Sequence, residues 1–160
     1  MVELTTSDVW RVLAQQSFMV LGMVSARGAA RTAGVMLEVD GNHVWSTTNE
    51  AEWKAKHLAA NPQVSVTVPV PKRVPFVPWV KVPAATITFS AVASLVPARE
   101  IPSRVRDVLL RGLDVEEEGA RGALVGIRVE PVGDFVTYGV GVSLLAMRDT
   151  DAARGRVPVR

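Results

Sequence analysis

The chain has 160 residues, 48% of them hydrophobic and 21% charged, the size and balance of one globular core spanning residues 1–160. It holds no cysteine, which excludes a disulfide scaffold, thiolate catalysis and a thiolate metal site. A net charge of +2 gives a pI of about 9.4 because little titrates below the lysines, and no basic run or basic-aromatic stripe points to nucleic acid.

The first twenty residues carry Glu3 and Asp8 and lack a basic start followed by an apolar run, so no secretory signal is expected. No apolar stretch reaches membrane-spanning length. The expectation is a cytoplasmic protein with no membrane partner.

Residues 5–15 read as an opening helix capped by Ser7, with Asp8 at its positive end and Val9, Trp10, Val12 and Leu13 forming an apolar side. Three strand-like runs follow: Phe18 to Ser25, Thr32 to Val39 and His43 to Thr47. Arg27-Gly28 and Asp40-Gly41-Asn42 supply the turns between them. Asn49-Glu50-Ala51-Glu52 resembles a capping box, which predicts a helix to about Ala60, where Asn61-Pro62 stops it. Gln63 to Val70 is a fourth strand. Half of the ten prolines lie between Pro69 and Pro83, together with Phe76 and Trp79, so this stretch reads as a stiff apolar loop. Ala85 to Val96 alternates as a strand, and Ile101 to Leu113 reads as a helix. Glu116 to Gly119 reads as a solvated turn. The last strand runs over Ala123 to Val129 and Asp134 to Tyr138, with a bend at Pro131-Val132-Gly133. Gly139 to Arg160 reads as a tail, most plainly from about residue 143.

The fold class expected is mainly β with short helices. About six hairpin-linked strands without a βαβ repeat favour a small antiparallel barrel.

Side-chain catalysis has few candidates. His43 and His57 are the only histidines, and neither stands at ligand spacing to another His or carboxylate, so no metal site is expected. Gly-x-Ser-x-Gly and the Gly-x-x-x-x-Gly-Lys phosphate loop are both absent. No catalytic residue can be named, and enzyme chemistry here would come from a cofactor.

One stretch stands out. Ser46-Thr47-Thr48-Asn49-Glu50-Ala51-Glu52-Trp53-Lys54-Ala55-Lys56 joins a strand end, a hydroxyl pair, a helix start and two lysines. A hydroxyl and free amides at a helix start, with a lysine one turn in, make a phosphate cradle. The same residues also suit plain capping by Thr48 and Asn49 with solvated lysines.

This stretch, continuing to Leu58 and Asn61-Pro62, resembles the cofactor-phosphate segment of the pyridoxamine 5'-phosphate oxidase-like split-barrel family. Gly28-Ala29-Ala30-Arg31-Thr32 resembles that family's Gly-x-x-Arg hairpin, and the likeness in order and spacing runs from Val9 to about Val96. The tail, Tyr138 to Val142, Met147-Arg148-Asp149 and Arg156 to Val159, resembles an actinobacterial branch that does not itself name a substrate. The resemblance implies a six-stranded antiparallel split β-barrel of Greek-key type, a homodimer that holds flavin mononucleotide (FMN) at the subunit interface. It implies Arg31 and Lys54 on the phosphate, Thr48 donating to it, and Thr47 with Val35, Met36 and Leu37 along the ring system. Met36 and Trp53 stand where the oxidases carry Lys and Arg, which argues against vitamin B6 phosphate as substrate and leaves room for a deazaflavin coenzyme. The implied activity is an FMN-dependent oxidoreductase transferring hydride to or from a small organic molecule; a deazaflavin-dependent reductase and a non-catalytic flavin or haem carrier are the alternatives. The loop from Pro69 to Pro83 would roof the ring or seal the dimer. Tyr138 is a proton donor or, more simply, an anchoring hydroxyl.

Overall fold

The computed structural model describes residues 1–73, 82–111, 118–119 and 122–160. The elements are α1 (Thr6–Leu13), β1 (Phe18–Val24), β2 (Ala30–Met36), β3 (Glu38–Asp40), β4 (His43–Asn49), α2 (Trp53–Ala60), β5 (Gln63–Val70) and β6 (Ala85–Pro97). They continue with α3 (Ser103–Leu110), β7 (Glu118–Gly119), β8 (Gly122–Tyr138), α4 (Thr150–Ala153) and β9 (Arg154–Pro158). Nine antiparallel strands form one sheet in the order β2-β1-β5-β6-β8-β4-β3, with β7 and β9 both pairing with β8. The sheet curls until β2, at one end of this order, approaches β4 near the other. This is a split barrel, and it carries nine strands among the described residues where about six were expected.

Period-two burial explains the curl. Met19, Leu21 and Met23 of β1, Val64, Val66 and Val68 of β5, and Ala85, Ile87, Phe89, Ala91 and Ala93 of β6 all point inward and are buried. Phe135 sits at the centre with its ring edge-on to Trp10 and Phe89, both centroids 5.3 Å away. Truncating a fully buried phenylalanine of this kind costs about 3–5 kcal/mol. A second cluster, Trp45 with Val96, Ile101, Val105 and Leu109, packs α3 against the other face of β4. Arg104 of α3 ties that helix to β3 through Glu38 at 2.7 Å and Asp40 at 3.4 Å.

Several boundaries differ from expectation, each for a local reason. Thr5, not Ser7, caps α1: its hydroxyl accepts from the Asp8 amide while the Asp8 carboxylate accepts from the Thr5 amide. The run expected through Val39 divides: β2 ends at Met36, the Leu37 amide carries its pairing with the first strand one bond further to the Ser17 carbonyl, and Glu38–Asp40 pairs with β4 instead, with Leu37 buried between the two. β8 is one 17-residue strand, and the expected bend survives as a register shift opposite Thr88 and Ser90, with Gly133 at φ +74°. Glu118 and Gly119 form a short ladder with β8 rather than a free turn. Phe76, Trp79, Leu113 and Glu116 lie outside the described residues.

The largest miss is the tail. Ala153, Gly155, Val157 and Val159 alternate inward, and β9 lies along β8. It also clasps the N-terminal segment: Val2 donates its amide to Arg154, Thr6 Oγ1 donates to the Pro158 carbonyl at 2.8 Å, and Trp10 Nε1 donates to the Val159 carbonyl. Tyr138 is an anchor, its hydroxyl donating to the Met147 carbonyl at 2.7 Å.

Candidate functional site

The segment singled out in the sequence joins β4 to α2. β4 runs further than expected, through Asn49, so Asn49 is the last strand residue and no capping box forms. A tight turn follows, closed by the Glu52 amide donating to the Asn49 carbonyl at 3.0 Å. Glu52 occupies the cap position of α2 without a side-chain bond, and no acidic residue stands in the first turn. The amides of Trp53, Lys54 and Ala55 therefore have no protein acceptor among the described residues. That open end carries the positive pole of the helix, about half an elementary charge.

Along β4, Val44, Ser46 and Thr48 face inward and are buried, while Thr47 shares the opposite face with Trp45. Thr48 is 8% exposed, and its Oγ1 finds no hydrogen-bond partner among the described residues. Leaving such a hydroxyl buried and unpaired costs about 1–3 kcal/mol. Thr137 Oγ1 and Trp45 Nε1 are orphaned too. Thr137, however, is closed over by β9: a Cβ on Gly155 would come within 2.5 Å of its Oγ1, so backbone packing accounts for it. Trp45 is held in the α3 cluster. Thr48 stands one tight turn before the uncapped start of α2.

Lys54 is half-buried, with its Nζ 5.3 Å from the centroid of the Trp53 ring and no ion pair among the described residues. Trp53 is 41% exposed and packs edge-on to His57. Arg31, near the start of β2, is exposed and donates only to the neighbouring Ala30 carbonyl. It borders a groove of about 550 Å³ with Gly22, Ser65, Ser90, Val92 and Val132. Arg31 lies four residues before buried Val35, so the two share a side of β2; Met36 takes the other side and is exposed. Among the described residues β2 pairs only with β1, and it contacts β4 where the ends of the curled sheet approach.

Thr48 and Lys54 thus flank one turn, and β2, the strand of Arg31 and Val35, contacts β4. No hydrogen bond or ion pair among the described residues links Arg31 to either of them. Thr47 and Met36 turn to faces opposite Thr48 and Val35, and Leu37 is a core residue. Among the described residues no trio of His, Asp and Glu is placed to hold a metal ion. Nor is any helix among them long and apolar enough to cross a membrane.

A hydroxyl, a lysine and an uncapped helix start around one turn are donors of the kind a phosphate dianion takes. Flavin mononucleotide offers that group, and the residues present fit it.

The sequence profile of pyridoxamine 5'-phosphate oxidase matches residues 6–132. No curated protein matches the chain. Among solved structures, an F420 reductase is 19% identical with a TM-score of 0.57, covering 84% of this chain and 98% of its own. HutZ, the haem-storage protein of Vibrio cholerae, is 16% identical with a TM-score of 0.61, covering 83% and 94%. An FAD-binding protein of Mesorhizobium loti is 16% identical with a TM-score of 0.58, covering 80% and 88%. At these identities the likeness is one of fold.

Proposed function

Because the chain belongs to the pyridoxamine 5'-phosphate oxidase family, we propose that it is a flavin mononucleotide-dependent oxidoreductase acting on a small organic substrate. The observation that carries this reading is the buried, unpartnered Thr48 hydroxyl beside the uncapped start of α2. When bound, the flavin supplies hydride transfer at its ring system. Thr48 donates to a phosphate oxygen, the first-turn amides of α2 add their donors, and Lys54 and Arg31 neutralise the charge. The free edge of β2 around Val35 to Leu37 lines the ring, as does Thr47. Trp53 offers a flat aromatic surface in place of a cation. Two subunits meet on the outer sheet face, where Phe18, Met36, Val92, Val132 and Val136 are 37–47% exposed around small residues such as Gly22 and Ser90. The cytoplasm is the proposed compartment.

Exposed, uncharged Met36 and Trp53 favour a second reading, a deazaflavin-dependent reductase, since they thin the cationic set. Titration with both cofactors separates the two: FMN binding the tighter supports the first reading, and deazaflavin binding the tighter replaces it. A carrier of flavin or haem without turnover is the third outcome, and steady reduction of an acceptor other than oxygen counts against it. The direct test of the site is the double variant Arg31→Ala with Lys54→Ala. Losing two charged hydrogen-bond donors, each worth about 1.5–3 kcal/mol, weakens FMN at least 100-fold by fluorescence titration. Unchanged affinity overturns the assignment of the site.

A further inference from the structure

Glu50 has no part in the capping that its sequence position suggests. Its amide donates to the Ala123 carbonyl at 2.9 Å, and its carboxylate Oε1 accepts from the Ala123 amide at 3.3 Å. The β4–β8 ladder, which pairs Thr48 with Val125 and Asn49 with Leu124, is thereby carried one residue into the turn. Gly122 seats that turn from below. It sits at φ +86°, and a Cβ there would come within 2.9 Å of Glu50 Cγ and 3.3 Å of the Ala51 nitrogen. The turn then leads directly, through the Glu52 amide to the Asn49 carbonyl and the Lys56 amide to the Glu52 carbonyl, into α2.

We propose that Glu50 is the positioning residue of the phosphate cradle. By clasping Ala123 over Gly122, it fixes the first turn of α2 relative to Thr48. It also commits its own carboxylate to β8, where the charge does not fill the open end of the helix. The proposal rests on the phosphate reading of that site, and it concerns the turn itself, so it can be tested on the ligand-free protein as well.

The experiment compares Glu50→Ala and Glu50→Gln with the unaltered chain, reading amide hydrogen exchange over residues 50–55 without ligand and FMN affinity by fluorescence quenching. Glu50 is exposed, so both variants should fold. Glu50→Ala is expected to speed exchange across the turn and weaken FMN about tenfold, the usual scale for a residue that only orients a ligand's partners. Glu50→Gln keeps an acceptor for the Ala123 amide and is expected to restore both readouts. Unchanged exchange and affinity in Glu50→Ala overturn the proposal. So does tighter binding in both variants, which would make Glu50 a merely repelling charge. If the unaltered chain binds no FMN, the phosphate reading fails, while the exchange arm still decides whether Glu50 holds the turn.

Discussion

α1 and α2 are both eight residues long and both enter from extended backbone, yet their N-terminal ends are built in opposite ways. α1 closes its end on itself through the reciprocal Thr5–Asp8 bonds, and the Arg11 guanidinium reinforces Asp8 at 2.9 Å. The Thr5 hydroxyl, above all, holds the Asp8 carboxyl below the usual aspartate range. α2 has neither a capping side chain nor an acidic residue in its first turn, and the nearest inward-facing hydroxyl, Thr48, is left unpaired. α3 also begins without a capping side chain or an acidic residue in its first turn; what sets α2 apart is the unpaired Thr48 hydroxyl and the half-buried Lys54 beside its start. The contrast marks the α2 start as an open end with an unpaired hydroxyl next to it.

Breaking that contrast gives four measurements. The largest effect is expected from Thr48→Val, which removes the orphaned hydroxyl while nearly preserving shape. The ligand-free protein should gain about 1–3 kcal/mol in thermal or denaturant unfolding while FMN affinity falls about tenfold. A variant that loses stability and keeps its affinity would place Thr48 in the scaffold instead.

Thr5→Ala should behave in the opposite sense, costing about 1 kcal/mol of stability with no change in FMN affinity. The same cap has a pH signature. Because the folded-state pKa of Asp8 is lowered, its contribution is present above the unfolded value near 3.8 and is lost as pH falls through the folded value. Unfolding midpoints measured down through acid should therefore fall less steeply in Asp8→Asn than in the unaltered chain.

The smallest effect belongs to Glu52→Ser, which gives α2 the cap it lacks. A serine hydroxyl accepting from a first-turn amide should stabilise the ligand-free protein by a few tenths of a kcal/mol and weaken FMN about threefold through competition for that donor. Tighter binding would mean that the Glu52 charge, not the free amides, sets the affinity.

Much of this protein was legible in the residues alone. Alternating Val, Ile, Thr and Phe in Gln63–Val70 and Ala85–Pro97 announce strands whatever the surroundings, since only one face of each can be buried. The family segment from Arg31 to Lys54 could be read from order and spacing. The C-terminal strand carried the same signal in Ala153, Gly155, Val157 and Val159, but Arg154 and Arg156 between them, with Arg160 beyond, read as a solvated tail. A strand with one polar face looks the same whether or not a partner covers the other.

The ends of α2 and β4 were decided only in three dimensions. The local sequence Asn49-Glu50-Ala51-Glu52 satisfies a capping box on paper, and in isolation Asn49 would take that role. Pairing with β8 offers Asn49 and Glu50 ladder bonds instead, and Gly122, more than seventy residues away in the chain, leaves room for the turn to lie against it. Composition and periodicity fix which residues seek burial and which elements they can form. Which of two locally acceptable hydrogen-bond partners a turn takes depends on what the folded sheet brings beside it, because a long-range ladder bond and a local cap compete for the same few groups.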